Sequence, residues 1–106
     1  MQAFDLSDLK AARAAAGKLY HEFLRVPALS CGLYVLPAGG KDPQGPHGED
    51  EVYYVVSGRA TVRVADETRA VGPGSVIYVA AGVHHRFESI LDDLTVLVFF
   101  APAEGG

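Results

Sequence analysis

From Tyr20 onward, the chain is a series of short apolar segments separated by turns that contain glycine or proline. The segment Ala60–Val64 alternates apolar with polar residues, which predicts a strand whose Thr61 and Arg63 face water, and Asp66-Glu67 is predicted as the turn after it. The other strand-like segments are YHEFLRV, CGLYVLP, VYYVV, TRAV, VIYVA and LTVLVFFAP. Many short strands with such turns are typical of an antiparallel sandwich or barrel.

The first 19 residues have a different pattern and contain the only convincing helix, FDLSDLKAARAAAGK. We expect Asp5 to cap its N-terminus, Asp8 to favour its positive end and Gly17 to end it. Because its apolar stripe is narrow, the helix must dock on the β-structure or on a partner subunit. We therefore divide the chain into a helical extension, residues 1–19, and a β-domain, residues 20–106, with a loose tail at its C-terminus.

The length, net charge and cysteine count of the chain argue against several classes of protein. A chain of 106 residues forms one domain, and no apolar run approaches the length of a membrane span. The N-terminus lacks the pattern of a signal peptide, so we expect a soluble, cytoplasmic protein. The net charge of −4, without a dense basic cluster, argues against nucleic acid as a partner. The single cysteine, Cys31, fits a reducing compartment and is interpreted as a small buried side chain.

The last strand-like segment, LTVLVFFAP, is apolar on both faces. Strands with this pattern are buried on both sides. In a domain this small, one side is the core and the other is interpreted as a subunit interface. The sequence therefore predicts a homodimer.

The segment from Gly39 to Gly58 contains the most promising candidate ligands, because a histidine and three consecutive carboxylates there precede an apolar run. If the strand that contains Val52–Val56 extends back far enough, His47, Glu49 and Glu51 share one face of it. Imidazole and carboxylate groups that converge in this way are what a divalent metal requires. We expect Glu49 and Asp50 to face solvent, whereas Glu51 begins an otherwise apolar strand and is the better candidate ligand.

A second cluster contains adjacent histidines, His84 and His85. Only one of them can point inward from a strand. A further histidine, His21, belongs to no such pattern and is interpreted as structural.

Together the two segments resemble the paired motifs of small single-domain cupins, over a region from Tyr20 to Pro102. The first motif of that family is Gly, five residues, His, one residue, His, three or four residues, Glu, six residues, Gly; the second is Gly, five residues, Pro, one residue, Gly, two residues, His, three residues, Asn. The matching positions are Gly39, Gly45, His47, Glu51 and Gly58, then Gly74, Ala80, Gly82, His85 and Ser89. The resemblance implies an all-β, double-stranded β-helix or jelly-roll barrel with one short N-terminal helix.

The resemblance also implies a metal site inside the barrel with His47, Glu51 and His85 as ligands, which leaves His84 at the mouth. Gly45 stands where the family has a further histidine ligand. Two histidines and one carboxylate resemble the facial triad of non-haem Fe(II) oxygenases. Alternatively, the missing ligand marks a site with weak metal affinity or none, and Gln44 or Glu49 are further candidates to fill the gap.

Tyr53 shares a face with Glu51, and its phenol is a candidate donor or acid toward a substrate, with His85 as the second candidate catalytic residue. Other aromatic residues are expected to line the cavity or to form core: Tyr34, Tyr78, Phe87 and Phe99.

Three functions stay open. The first is a metalloenzyme that holds Fe(II), or otherwise Mn(II), Ni(II) or Zn(II), and acts on a small molecule as a dioxygenase or in related lyase or isomerase chemistry. The second is a non-catalytic binding module with a structural metal or no metal. The third is metal-free acid/base chemistry with His47 or His85 as the base.

Overall fold

Alternating apolar side chains bring the strands together as two facing antiparallel sheets. The computed structural model describes residues 1–105. Its elements are α1 (Leu6–Ala16), β1 (Tyr20–Val26), β2 (Leu29–Leu36), β3 (Asp50–Ser57), β4 (Ala60–Val64), β5 (Glu67–Val71), β6 (Val76–Val79), β7 (His85–Glu88) and β8 (Leu94–Ala101). One sheet has the order β1-β2-β8-β3-β6 and the other β5-β4-β7. The predicted all-β barrel with one N-terminal helix is therefore confirmed.

The core fills the space between the two sheets. It is formed by the inward-facing side chains of both sheets: Tyr34, Leu36, Tyr53, Val55, Ala60, Val62, Val71, Ile77, Val79, Phe87, Ile90, Leu94, Val96, Val98 and Phe100. Along β4 the predicted alternation is confirmed, since Ala60 and Val62 are buried while Thr61 and Arg63 are partly exposed. The turn after β4 is Ala65-Asp66, one residue earlier than predicted, because Glu67 already pairs with Val64.

The helix covers part of the outer face of the larger sheet and packs against β1 and β2. Leu9 is its buried residue, and Gly17 ends it in the left-handed conformation, as predicted. Asp5 stands at the N-cap position but makes no side-chain capping hydrogen bond, so that part of the prediction was wrong. The helix is too short and polar to cross a bilayer, and the rest of the described chain has no helix that could.

The outer face of β8 is partly covered by this chain itself. Leu97 and Phe99 are half-buried there and line a groove of about 400 Å³ beside α1. The groove is closed on the helix side by Phe4, Leu6 and Leu9. The two-sided apolar pattern of β8 therefore reflects the helix as well as the core.

Gly58 fixes the start of the hairpin that joins the two sheets. Its φ is +90°, a conformation that side-chain-bearing residues rarely adopt. A Cβ atom at this position would also collide with the backbone carbonyl of Asp93. Both facts require glycine at the last position of the first motif.

The C-terminal segment is docked rather than loose, which corrects the sequence-based expectation. Ala103 is buried, and its amide donates to the carbonyl of Pro27. The amide of Glu104 donates to the Ser30 hydroxyl at 2.9 Å, and the Arg25 guanidinium donates to the Glu104 carbonyl at 2.8 Å. These contacts hold the tail against β1 and β2.

Candidate metal centre

Three residues from three different segments meet at one end of the barrel core. Glu51 lies on β3, His85 begins β7, and His47 lies in the loop before β3. Each offers a ligand atom, and these atoms all lie within 4.8 Å of one another. The side chains of Glu51 and His85 are only 1% and 2% exposed, and that of His47 is 16% exposed. The structure thus brings together the three residues that the sequence singled out.

His47 reaches this cluster from a loop, not from a strand. β3 begins at Asp50, so His47 and Glu49 do not share a strand face with Glu51. Instead, the carbonyl of His47 accepts a 2.7 Å hydrogen bond from the amide of Gly82. The Asp50 carboxylate accepts a second bond across the same gap, from the amide of Ala81 at 2.9 Å. These two bonds fasten the loop of the first motif to the turn of the second.

The ring of His85 has a polar neighbour at each nitrogen. Nδ1 lies 2.9 Å from the carbonyl oxygen of Val83, an acceptor that places the ring proton on Nδ1. Nε2 lies 2.9 Å from Glu51 Oε1, within the distance of an ion pair, although neither atom has a hydrogen-bonding partner. Burial lowers the pKa of His85, but the Glu51 carboxylate and the Val83 carbonyl outweigh it, so the pKa is raised above its ordinary value.

Unpaired buried polar atoms are concentrated in this cluster. Among the described residues, five buried side-chain nitrogen or oxygen atoms have no hydrogen-bonding partner, and four of them are His47 Nε2, Glu51 Oε1, Glu51 Oε2 and His85 Nε2. A buried carboxylate without a partner is costly, and each such atom requires a physical explanation. A cation bound between the three residues would satisfy all four atoms. The donor set therefore fits a divalent metal.

Tyr53 and Gln44 form a pair beside the cluster. The fully buried phenol of Tyr53 donates a 2.7 Å hydrogen bond to Gln44 Oε1. Burial raises the pKa of Tyr53, and the charge of Glu51 raises it further, so the phenol stays protonated. Gln44, which precedes Gly45, thus reaches the barrel interior. Glu49 does not, because its carboxylate accepts from the amide of Gly105, where it is half-buried rather than fully in solvent.

The other aromatic candidates divide into two groups. Tyr34 and Phe87 are buried in the core, as predicted. Phe99 points to the outer face of the larger sheet, and Tyr78 is 60% exposed, so neither lines the barrel interior. Their positions on β8 and β6 alternate with inward-facing neighbours, and the expectation for these two residues was wrong.

Asp42 is a residue that the sequence reasoning missed. Its Oδ1 accepts hydrogen bonds from the Tyr34 hydroxyl at 2.6 Å and from the backbone amide of Gln44 at 3.1 Å. Its Oδ2 accepts from the amide of Phe87 at 3.0 Å. One carboxylate thus ties the loop that carries Gln44 and His47 to β2 and β7. Its only signal in the sequence is an acidic residue within a loop rich in glycine and proline.

Glu104 is a second residue that the sequence reasoning missed. Its Oε2 lies 3.0 Å from His47 Nδ1, on the side of the ring that faces away from the cluster. Burial raises the pKa of Glu104, while the neighbouring His47 opposes that shift. Nothing near it in the sequence indicates this contact.

A groove beside the candidate metal centre is lined by basic side chains. His84 is exposed, as predicted, and Arg63 and Arg86 lie beside it around a groove of about 230 Å³. Both arginines form ion pairs with the Glu88 carboxylate, Arg63 at 2.9 Å and Arg86 at 3.3 Å.

Cys31 is buried, and this burial raises the pKa of its thiol. Its position agrees with the interpretation of Cys31 as a small buried side chain.

Comparison with known proteins places this geometry in context. A family model described as "Cupin domain" matches residues 32–101. An uncharacterized protein of Streptomyces coelicolor is 55% identical over 104 residues, which cover 98% of this chain and 99% of that protein. The crystal structure of TT1209 from Thermus thermophilus is 28% identical with a TM-score of 0.77, covering 97% of this chain and 99% of that one. An RmlC-like cupin family protein from Methanocaldococcus jannaschii, 22% identical with a TM-score of 0.72 over 80% of each chain, shares the double-stranded β-helix.

We predict that Asp42→Ala destabilises the loop that carries His47. The change removes the acceptor of three hydrogen bonds, which is expected to lower the free energy of unfolding by about 2–4 kcal/mol in urea denaturation. Hydrogen exchange at the amide of Phe87 should accelerate as well. The matched control is Asp92→Ala, because Asp92 is exposed and its ion pair with Arg59 is long, with 4.0 Å between Oδ2 and Nε. Equal stabilities of the two variants would contradict the role of Asp42.

Proposed function

The chain belongs to the cupin family, and from that premise we propose that it is a metal-dependent enzyme that acts on a small molecule. The proposed ligands are His47, Glu51 and His85, and the metal is a divalent ion. The observation that carries the proposal is the group of four buried, unpaired donor atoms that converge from these residues. A protein without a cation at this point would bear the cost of burying a carboxylate next to two imidazoles with none of the four atoms in a hydrogen bond.

We propose Fe(II) as the ion, with Mn(II), Ni(II) or Zn(II) as alternatives. Two imidazoles and one carboxylate are the donor set of non-haem Fe(II) oxygenases, in which three protein ligands leave coordination positions open. Gly45 supports this assignment, because it contributes no fourth side chain. When bound, such an ion supplies Lewis-acid or oxygen-activating chemistry to a substrate, as in dioxygenases or related lyases and isomerases.

The residues of the chain itself supply position, polarity and exclusion of water. Tyr53 is the proposed hydrogen-bond donor to the substrate, because its raised pKa keeps the proton on the phenol. Gln44 orients that phenol by accepting its hydrogen bond, and an incoming polar group competes with Gln44 for this bond. Core side chains such as Phe100, whose ring packs edge-on against His47 at 4.9 Å, keep the surroundings apolar.

A second candidate, a cupin without metal, is favoured by one specific observation. The 2.9 Å approach of His85 to Glu51, with the raised pKa of His85, allows an imidazolium and a carboxylate to neutralise each other. In that form His85 is the acid or base and Tyr53 its neighbour, or the cavity only binds a ligand. Metal content distinguishes this candidate from the first.

We predict about one equivalent of metal per chain when the protein is purified without a chelator and without a histidine tag. His47→Ala and Glu51→Ala are each expected to reduce the metal, measured by elemental analysis, below about a tenth of that level, because each removes a protein ligand. Circular dichroism should show that the β-structure is kept.

The matched control for these variants is His84→Ala, which removes an exposed histidine beside His85 and should leave the metal content unchanged. Full occupancy in Glu51→Ala would refute the ligand assignment. Wild-type protein that stays metal-free after dialysis against each of the four ions would favour the metal-free candidate.

We predict that Gly45→His tightens metal binding. A Cβ atom at Gly45 meets no atom within 4 Å, so the backbone there accommodates a side chain, and the added imidazole restores the fourth family ligand. The affinity for Zn²⁺ should rise by about tenfold or more, while turnover that needs an open position should fall. Gly48→His is the matched control, because Gly48 lies in the same loop and is equally unobstructed. An equal effect of both variants would show that position 45 is not the missing ligand site.

We also propose that the protein is a homodimer, through the outer face of β3 and β6. Tyr54, Val76 and Tyr78 project there and are 41%, 60% and 60% exposed. Tyr54 pairs with Val76 across the two strands, and β6 is an edge strand, so apolar side chains and unpaired backbone groups lie side by side. A second copy that covers this face would remove both from water.

We predict a mass near twice the 11.2 kDa of one chain by light scattering coupled to size exclusion. Tyr78→Glu should shift the protein to the monomer, because it places a charge in the proposed interface. Leu91→Glu is the control, since Leu91 is 71% exposed and lies outside the sheet. A monomeric wild type, or an equal response of the two variants, would contradict the proposal.

A further inference from the structure

We propose that Glu104 is a positioning residue that holds His47 in the orientation and tautomer needed to bind the metal, so that the docked C-terminal segment completes the site. This inference rests on the proposed metal-binding function. It assigns a role to a part of the chain that lies outside both sequence motifs.

The contact lies on the correct side of the imidazole. Glu104 Oε2 is 3.0 Å from His47 Nδ1, whereas Nε2 is the buried, unpaired nitrogen of the cluster. A carboxylate beside Nδ1 favours the proton on that nitrogen and therefore leaves the lone pair of Nε2 free. Metal-binding histidines commonly have such a carboxylate on their other nitrogen, and its removal typically costs about 10–100-fold in metal affinity.

The backbone of Glu104 is fixed independently of His47. Its amide donates to the Ser30 hydroxyl, and its carbonyl accepts from the Arg25 guanidinium. The side chain of Glu104 thus extends from a backbone that is held in place without any contribution from His47. That is the condition for one residue to orient another.

The ring of His47 has few other constraints. It packs edge-on against the Phe100 ring, with 4.9 Å between ring centroids, and at a tilt against the His85 ring, with 5.7 Å between ring centroids. Both contacts restrict the plane of the ring, but neither distinguishes Nδ1 from Nε2. Among the contacts of the described residues, the carboxylate of Glu104 is the one that makes this distinction.

The first test uses the metal-free protein. Long-range proton–nitrogen correlation spectra of the histidine rings, recorded at alkaline pH where imidazole is neutral, report which ring nitrogen carries the proton. We expect the proton of His47 on Nδ1 in the wild type and in Glu104→Gln, because the side-chain oxygen of glutamine still accepts a hydrogen bond from Nδ1. In Glu104→Ala we expect a substantial population with the proton on Nε2. A wild-type proton on Nε2, or no change in Glu104→Ala, would overturn the proposal.

The second test measures the affinity for Zn²⁺ by competition with a chromophoric chelator. Glu104→Ala is expected to weaken binding by about 10–100-fold, and Glu104→Gln by less. The matched control is Glu49→Ala, which removes a neighbouring carboxylate of the same charge that touches the tail but not His47, and should change affinity less than about threefold. An equal loss in Glu49→Ala would attribute the effect to charge or to tail docking and would overturn the role of Glu104.

The two tests separate this proposal from the proposed function. If the wild type binds no Zn²⁺, the metal-binding function fails, while the spectra of the metal-free protein still decide whether Glu104 sets the tautomer of His47. Because the wild-type spectrum alone can refute the assignment, the test does not depend on the folding of any variant.

Discussion

The burial of the Glu51 carboxylate is the constraint on which the rest of the site depends. An ionised carboxylate inside an apolar barrel is strongly unfavourable unless a cation or hydrogen-bond donors compensate it. Here the phenol of Tyr53 donates to Gln44 instead, and His85 approaches without hydrogen-bond geometry. The buried carboxylate therefore lies 2.9 Å from His85 with neither of its oxygens in a hydrogen bond, an arrangement that a bound cation would compensate.

The surrounding hydrogen bonds make this arrangement possible by fixing two loops. The carbonyl of His47 accepts from Gly82, the Asp50 carboxylate from Ala81, and the Asp42 carboxylate from Phe87. Each bond joins the loop before β3 to the segment that carries His85. The donor atoms of the cluster are thus positioned by backbone contacts outside the cluster, which leaves the donor atoms themselves free to bind a ligand.

The exterior shows how one pattern in the sequence can have more than one structural cause. The apolar outer face of β8 was interpreted as a subunit interface, yet part of it packs beside the chain's own helix. A group of three exposed apolar side chains, Tyr54, Val76 and Tyr78, lies instead on β3 and β6, two strands whose alternation in the sequence gave no such indication. Side chains from distant segments decide which apolar surface is covered, and periodicity within one segment does not contain that information.

The amino-acid sequence was sufficient to predict the barrel, the inward face of β4, the three members of the candidate metal centre and the choice of His85 over His84. The inward face of β4 follows from local periodicity, because strand geometry alternates side chains regardless of the remaining fold. The barrel and the metal ligands follow from the resemblance of the two motifs to those of cupins. The folded chain was needed to show that His47 lies in a loop, that Asp42 fastens this loop, and that Glu104 contacts the far side of the His47 ring. The ring contact joins positions far apart along the chain, through a tail whose docking depends on β1 and β2. Hydrogen bonds of this kind depend on which surfaces meet when the sheets pack, and no periodicity in one segment encodes them.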